Sequence, residues 1–395
     1  MDLSILLDPV TKKEFLADYF DVKHLCVQGK PERFSKIFSW GEFNRLMNMG
    51  GIWSDQTMRL VLNGTPVEPG QYCVSDYDRD GRESMIPNPN RVLEFARQGA
   101  TIVVNHQETL SSGISSVEIA LQKAFGAPSS CNAYCSFREK PGFGPHFDTM
   151  VVFVLHIAGK KRWNIYEGRF DLAVDTPGFN GGSFSQEHHD QACGKVAEEL
   201  ILSPGDFLYV PKGQYHAALA VDDACLHLSF GLTRPLGWNL LQHLVQDLPK
   251  HSLFREPLPH FNDVEAHQKH LKKLAAALQE IVASPGTSTN MRNYQRSRAN
   301  RDAAADFSFP KATHQTSYRL ADSEAKITRR GQQWLLKTSV DSLEIEADCM
   351  EVAKWALERM DFSESAVTDA FNNKDQETIT NILKKLEEIG IIQRQ

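Results

Sequence analysis

Between Gly144 and Tyr166 the chain reads GPHFDTMVVFVLHIAGKKRWNIY, a His-x-Asp at the entrance to an apolar run that ends in a basic triplet. His146 and Asp148 are two residues apart, so on a regular strand their side chains share one face. Gly142, Gly144 and Pro145 let the chain turn sharply into that strand. An imidazole nitrogen and a carboxylate oxygen are two of the three ligands of the facial triad that holds non-haem Fe(II) with positions left open. The third ligand should be a His from another strand, and two stand available, His216 and His227. His216 follows Pro204-Gly205-Asp206, a strand-like FLYV and a second turn at Pro211-x-Gly213, so it opens the next strand. His227 sits inside the apolar ACLHLSFGL and reads as a core residue or a support behind a ligand. Taken alone, His146-x-Asp148 also fits a polar turn before a core strand. The turn-strand-turn that delivers His216 is what favours a metal site.

A dicarboxylate that grips a metal through one end needs a cation at the other. Lys161 stands 15 residues after His146, at the far end of the strand the ligands open, and is spaced for that role. Its neighbours Lys160 and Arg162, next to Ala158-Gly159, read as a solvated hairpin turn, and Trp163 as a core anchor. Ligands and cation would then lie on one hairpin.

These residues need a scaffold. From Asn132 to about Arg234 short strands alternate with Gly, Pro and Asp turns: NAYCSF, VVFVLHIAG, KRWNIY, EELILSPGDFLYVP and ACLHLSFGL. That spacing predicts a β-sandwich or barrel. Before it, the capping boxes Thr11-x-x-Glu14 and Ser39-x-x-Glu42 open helices, and a helix at Leu93–Gln98 ends at Gly99 ahead of a strand at Ala100–Asn105. After Pro235 the strand signals stop. Trp238–Phe254 and Glu265–Ala283 carry helical spacing, with Leu271, Leu274, Leu278 and Ile281 on one face. Ser284 to Asp306 is small, polar and dotted with arginine, and reads as a linker or as a loop that orders on a partner. The last third-unit pattern is helix (Met350–Met360), helix (Ser363–Asn372), longer helix (Gln376–Ile389), then a short strand at Ile391-Ile392, the order of a winged helix. From Gln315 to Gln395, 11 Lys and Arg face 15 Asp and Glu, a net of −4. A DNA-reading winged helix needs a basic face, so protein contact fits better and no direct DNA binding is expected.

Composition bounds the setting. The 395 residues carry a formal charge of −7, which argues against a surface that coats nucleic acid. No apolar run approaches the roughly 20 residues that span a bilayer, so no membrane association is expected. The seven cysteines are scattered, and Cys131 and Cys135 do not form a C-x-x-C, which points to a reducing cytoplasm.

As a set, HFD at 146–148, GKKRW at 159–163 and GDFLYVPKGQYH at 205–216 resemble the JmjC-domain 2-oxoglutarate oxygenases. Among these they are most similar to the cupin-like ribosomal oxygenases of the bacterial ribosomal-protein-hydroxylase type. CNAYCSF before the His-x-Asp resembles the family's Asn-x-Tyr strand, and CLHLSFG resembles its Ser-x-Gly strand. The resemblance covers nearly the whole chain. It implies an α+β protein: a double-stranded β-helix (jelly-roll, cupin) JmjC core with N-terminal α/β elements over 1–235, a helical dimerisation region and linker over 236–310, and a winged helix over 311–395. It implies Fe(II) on His146, Asp148 and His216, and Lys161 on the distal carboxylate of 2-oxoglutarate. Asn132, Tyr134 and Ser229 would line the pocket. With O₂, such an enzyme hydroxylates a side chain of a ribosomal protein or similar polypeptide, releases succinate and CO₂, and works as a homodimer. The chain departs from the family at His156, where relatives often carry Gln, and in the insert Gly178–Gly194, which carries no motif.

Other readings stay open. The substrate could instead be a peptide natural product or a small molecule, and a non-catalytic metal-binding adaptor is a third class. Demethylation of methyl-lysine would call for an aromatic cage, which the sequence does not display. Asp76-x-Asp78-x-Asp80-Gly81 imitates a calcium loop, but its twelfth position is Pro87, so a surface loop fits better. Glu187-His188-His189-Asp190 and the arginines at 292, 296, 298 and 301 read as solvated.

Overall fold

The computed structural model describes residues 3–49, 51–77, 80–137, 141–176, 179–180, 184–299, 316–322, 325–331, 333–338 and 342–394. Asp78 of the calcium-like stretch, Gly178, and the segment 300–315 with Arg301 lie outside them. The chain divides into two units, residues 1–303 and 304–395.

The first unit begins with α1 (Ser4–Leu7), α2 (Lys12–Asp18), β1 (Leu25–Val27) and α3 (Trp40–Met47). Both expected N-caps form: the Glu14 amide donates to Thr11 Oγ1 at 3.2 Å and the Glu42 amide to Ser39 Oγ at 3.1 Å. There follow β2 (Met58–Leu62), β3 (Thr65–Pro66), α4 (Pro69–Tyr72), β4 (Cys73–Tyr77), β5 (Glu83–Pro87), α5 (Pro89–Arg97), β6 (Thr101–Val104) and α6 (Ser112–Phe125). The strand-rich part runs β7 (Ser129–Phe137), β8 (Pro141–His146), β9 (Val151–Ala158), β10 (Lys161–Arg169), β11 (Asp175–Thr176) and β12 (Phe179–Asn180). It continues through α7 (Gln186–Ala192), β13 (Val196–Leu202), β14 (Phe207–Val210), β15 (Gln214–Ala220) and β16 (Ala224–Leu232). The unit closes with α8 (Gly237–Val245), α9 (Val264–Ala283) and α10 (Pro285–Ala299).

An eight-stranded sheet has the order β1-β14-β9-β16-β7-β6-β2-β3, and a four-stranded sheet the order β13-β10-β15-β8. From β7 to β10, and again from β13 to β16, the chain passes from one sheet to the other at each step, the winding of a jelly roll. The stretch 144–166 is therefore not a hairpin, contrary to the sequence reading. β9 lies between β14 and β16 in the large sheet, β10 between β13 and β15 in the small one, and the turn at Gly159-Lys160 carries the chain across.

The large sheet is covered on both faces. Val151, Phe153 and Leu155 pack with Phe15, Phe34, Phe38 and Leu121 on the helical side. Val152 and Val154 pack with Trp163, Ile165, Leu202 and Leu208 toward the small sheet. A strand buried on two faces needs apolar side chains at every position, which is why 151–155 shows no alternation.

Two further expectations give way. Residues 285–299 form helix α10 rather than linker or loop. Pro285 has the backbone angle a first helical turn requires, and Ser284 Oγ accepts the Thr287 amide at 3.1 Å. A helix polar on all sides carries no apolar period for sequence reading to find. Strands also do not stop at Pro235: the second unit contains β17 (Ser317–Leu320), β18 (Lys326–Arg330), β19 (Gln333–Lys337), β20 (Ser342–Ile345), β21 (Asp361–Ser363) and β22 (Ile392–Arg394). Most are short and only half-buried, so their alternation is faint. They form the three-stranded sheets β21-β17-β22 and β18-β19-β20. With them stand α11 (Ala347–Leu357), α12 (Glu364–Ala370) and α13 (Gln376–Glu388). Ile379, Ile382, Leu383 and Leu386 of α13 pack against Val352, Val367 and Ile391.

All seven cysteines are unpaired, and six are buried. Among the described residues no helix is long and apolar enough to cross a membrane.

Candidate active site

His146, Asp148 and His216 meet between the two sheets, each offering a ligand atom within 4.8 Å of the others. β8 and β15 bring the histidines together, with His146 directly opposite His216 in the register. Each ring has its Nδ1 2.9 Å from a carbonyl two residues back, Gly144 O for His146 and Gln214 O for His216. A carbonyl only accepts, so Nδ1 carries a proton and Nε2 is the nitrogen left to face a metal. Burial, aided by the neighbouring His146, holds His216 down to about 4 against the pull of Asp148, whose Oδ2 is 3.6 Å from Nε2. His216 is therefore a neutral imidazole, the form that ligates.

Asp148 is not on a strand. β8 ends at His146, so the two side chains do not converge through strand periodicity as the spacing suggested. The Asp148 loop is set instead by the turn before β15: the Gly213 amide donates to Asp148 O at 2.9 Å, and Gly213 O accepts from the Phe170 amide at 2.8 Å. Gly213 has φ +77°, and a Cβ there would collide with the Phe170 carbonyl, so this clamp needs glycine. Phe147, between the two ligands, points the other way and is buried.

A cavity of about 210 Å³ runs from the triad to Lys161. Its wall includes Tyr134, Phe143, Trp163, Ala218, His227 and Ser229, with Arg59 and Thr101. Lys161 is 4 % exposed, and its Nζ donates to Ser136 Oγ at 3.1 Å. Ser136 Oγ in turn accepts from Thr101 Oγ1 at 3.0 Å. Among the described residues no carboxylate forms an ion pair with Lys161, and burial pulls its pKa below the ordinary lysine value. Lys160, in contrast, is exposed and Arg162 half-buried. A buried cation without an anion, at the end of a cavity, is a place for a carboxylate to arrive.

The remaining sequence candidates divide. Tyr134 and Ser229 line the cavity. Asn132 lies across from Ser229 on β7 and hydrogen-bonds Tyr134, but is not part of the wall. Burial pushes the Tyr134 hydroxyl up to about 12, so it remains a phenol. His227 is not a ligand. Its ring stacks on Tyr134 at 4.8 Å, lies edge-on to Trp163 at 5.6 Å, and is kept neutral by burial and by Lys161. His156, fully buried behind it, donates Nε2–H to Gly159 O at 2.8 Å, and burial lowers it to about 4.

Sequence reading passed over Arg59, Thr101 and Ser136. Ser136 was within reach, since it follows Tyr134 by two on the same strand and so faces the same side. Arg59 and Thr101 come from β2 and β6, and only the sheet order brings them here. The insert also differs from its solvated reading: His189 is buried, with Nδ1 3.3 Å from the Tyr215 hydroxyl.

A two-sheet jelly roll with two histidines and a carboxylate beside a lysine-ended cavity defines a class of metal-site barrel. Residues 103–240, about a third of the chain, match the JmjC domain. It is 28% identical over 240 residues to ribosomal oxygenase 1 of Danio rerio, covering 59% of this chain and 40% of that protein. It is 26% identical over 259 residues to the bifunctional lysine-specific demethylase and histidyl-hydroxylase NO66 of Aedes aegypti, covering 65% and 38%. The chain thus spans about two-fifths of the length of these relatives. Its fold is shared with YcfD, a ribosomal oxygenase from Escherichia coli solved with cobalt and 2-oxoglutarate, at a TM-score of 0.52 and 15% identity over 98% of this chain and 99% of that one.

Proposed function

We propose that the chain is an Fe(II)- and 2-oxoglutarate-dependent oxygenase that hydroxylates a side chain of a ribosomal protein or similar polypeptide. The observation that carries this reading is the pairing of an open three-ligand site with a buried lysine, which no described carboxylate pairs, across one cavity. Two imidazoles and a carboxylate are the donor set that suits Fe(II) while leaving one face open. Held there by His146, Asp148 and His216, Fe(II) with 2-oxoglutarate would supply the chemistry of O₂ activation, in which one oxygen atom goes to succinate with release of CO₂ and the other to a C–H bond of the polypeptide.

The chain's own residues do the rest. His146, Asp148 and His216 hold the metal, their rings fixed by Gly144 O and Gln214 O. Lys161 takes the distal carboxylate, with Ser136 and Thr101 orienting its ammonium. Tyr134, Trp163 and His227 wall the cavity with faces that exclude water, which strengthens the Lys161–carboxylate attraction. Ser229 offers a hydroxyl to the same space, and Asn132 holds Tyr134 in place.

The proposal extends to the parts of the chain: a catalytic region over 1–235, a helical pairing region over 236–310 and a winged-helix-like region over 311–395. Support for a homodimer comes from α8, where Trp238, Leu241 and Val245 lie at helical spacing and are 43%, 43% and 60% exposed. The order α11, α12, α13, β22 supports the last region, whose acidic balance suits a protein partner. A cytoplasmic setting suits a ribosomal substrate.

Incubation with Fe(II), 2-oxoglutarate and a set of ribosomal proteins should yield a product one oxygen atom heavier, together with succinate. Formaldehyde in place of a stable hydroxylated product would indicate demethylation instead. His146→Ala should abolish succinate formation; activity equal to wild type would remove the triad assignment.

A further inference from the structure

The insert before β13 carries no motif, yet α7 packs on β8, the strand that ends in His146. β8 and β15 lose register just before the metal ligands. Between the pairs Phe143–Ala218 and His146–His216, β8 has two residues, Gly144 and Pro145, while β15 has only Ala217. This bulge turns His146 toward the triad, and it includes the Pro145 carbonyl. Gln186, the first residue of α7, takes that carbonyl: its Nε2 donates to Pro145 O at 2.9 Å. The second hydrogen of the same nitrogen goes to Asp190 Oδ1, also at 2.9 Å, which fixes the amide from behind.

Gln186 also lies flat over Gly144. A Cβ added to Gly144 would come within 2.6 Å of Gln186 Nε2. Gly144 is the residue whose carbonyl accepts from His146 Nδ1. One side chain of the insert therefore fixes both peptide units that aim His146. On the other side of that ligand, Phe147 is buried in an aromatic pocket made partly by the same insert. Its ring stacks on Phe170 at 4.9 Å and meets Tyr215 at 5.2 Å, His189 at 5.5 Å and Phe184 at 6.3 Å. Phe184 and His189 belong to the insert. Phe147 separates the two ligands, so seating its ring fixes the rotation of the backbone that presents both.

We infer that the 184–194 segment is a brace for the metal ligands, with Gln186 a positioning residue for His146 and the Phe147 pocket a positioning element for the His146–Asp148 loop. The inference rests on the triad being a metal site, and its test reads metal affinity directly. Co(II) is titrated into the metal-free protein against a chromophoric chelator, and the visible spectrum of the bound ion is recorded. Gln186→Ala is expected to weaken Co(II) binding by about threefold to tenfold, the range one net hydrogen bond supplies, and to alter the Co(II) spectrum. Gln186→Glu, which has the shape but lacks the donor, should match it. Far-UV circular dichroism and the unfolding midpoint should stay near wild type, because Gln186 is at the surface.

Gly144→Ala should displace Gln186 and so produce the same loss. The double variant Gly144→Ala/Gln186→Ala should then be no weaker than either single one, a non-additivity that two unrelated structural defects would not show. Phe184→Ala should loosen Co(II) binding by the second route. Unchanged affinity and spectrum in both Gln186 variants, or additive losses in the double variant, would overturn the brace. A wild-type protein that binds no Co(II) would overturn the metal-site reading itself, a separate result.

Discussion

Replacing Lys161 with methionine should move two properties in opposite directions. Lys161 is 4 % exposed, and the one described hydrogen bond of its ammonium goes to Ser136 Oγ at 3.1 Å. A single net hydrogen bond contributes about 1 kcal/mol, whereas taking an ammonium out of water without an anion costs several kcal/mol. The lowered lysine pKa has the same cause. Methionine fills similar space without the charge, and Ser136 keeps its bond from Thr101 Oγ1 at 3.0 Å. The metal-free Lys161→Met protein should therefore be more stable than wild type, by about 1–3 kcal/mol.

Ligand binding should show the reverse. A dicarboxylate arriving at Lys161 neutralises a charge that is already desolvated, and removing one partner of such a pair costs roughly 2–5 kcal/mol. That corresponds to a loss of roughly thirtyfold to several-thousandfold in 2-oxoglutarate affinity. The assay pairs urea unfolding of the metal-free proteins with anaerobic calorimetric titration of 2-oxoglutarate into the Co(II)-loaded ones. If Lys161→Met unfolds at lower urea and still binds 2-oxoglutarate within threefold of wild type, Lys161 is a structural lysine and the cavity is not a dicarboxylate site. A gain in stability together with loss of binding is the signature of a charge held for a ligand.

Other consequences can be checked on the same protein. His156 is fully buried and held down to about 4, against about 6.5 when unfolded. Between those values the unfolded chain binds the extra proton, so its contribution is complete above about pH 6.5 and is lost as pH falls toward 4. Moving from pH 7 to pH 5 should remove about 2 kcal/mol on this account, and His156→Gln should flatten that slope in urea titrations at a series of pH values; an unchanged slope would remove His156 as its source. On the proposed α8 pairing face, the wild type should scatter light as a dimer and Leu241→Asp as a monomer, with little change in the unfolding midpoint, since Leu241 is 43% exposed. A wild-type monomer across the micromolar range would dismiss that pairing face.

What could be read in advance follows the range of the interactions. His146-x-Asp148 and the turn-strand-turn leading to His216 are local patterns, and they identify the triad that the fold assembles. Their assembly departs from extended geometry in two places. Asp148 lies past the end of β8, aimed by Gly213 from a turn 65 residues later, and β9 and β10 part into different sheets at Gly159. The second departure is why Lys161 is buried: a hairpin would leave it at a turn, whereas a sheet-to-sheet crossing brings it between the layers, facing Ser136 on β7. Arg59, Thr101 and His227 reach the cavity through register alone, which no single-strand pattern contains. The insert was opaque for a different reason. Gln186 acts on the carbonyl of Pro145 and the bare backbone of Gly144, so its partner is a peptide group that any residue could supply. A side chain whose role is to hold backbone leaves a signature on one side only, and that half becomes legible once the bulge at Gly144-Pro145 is known.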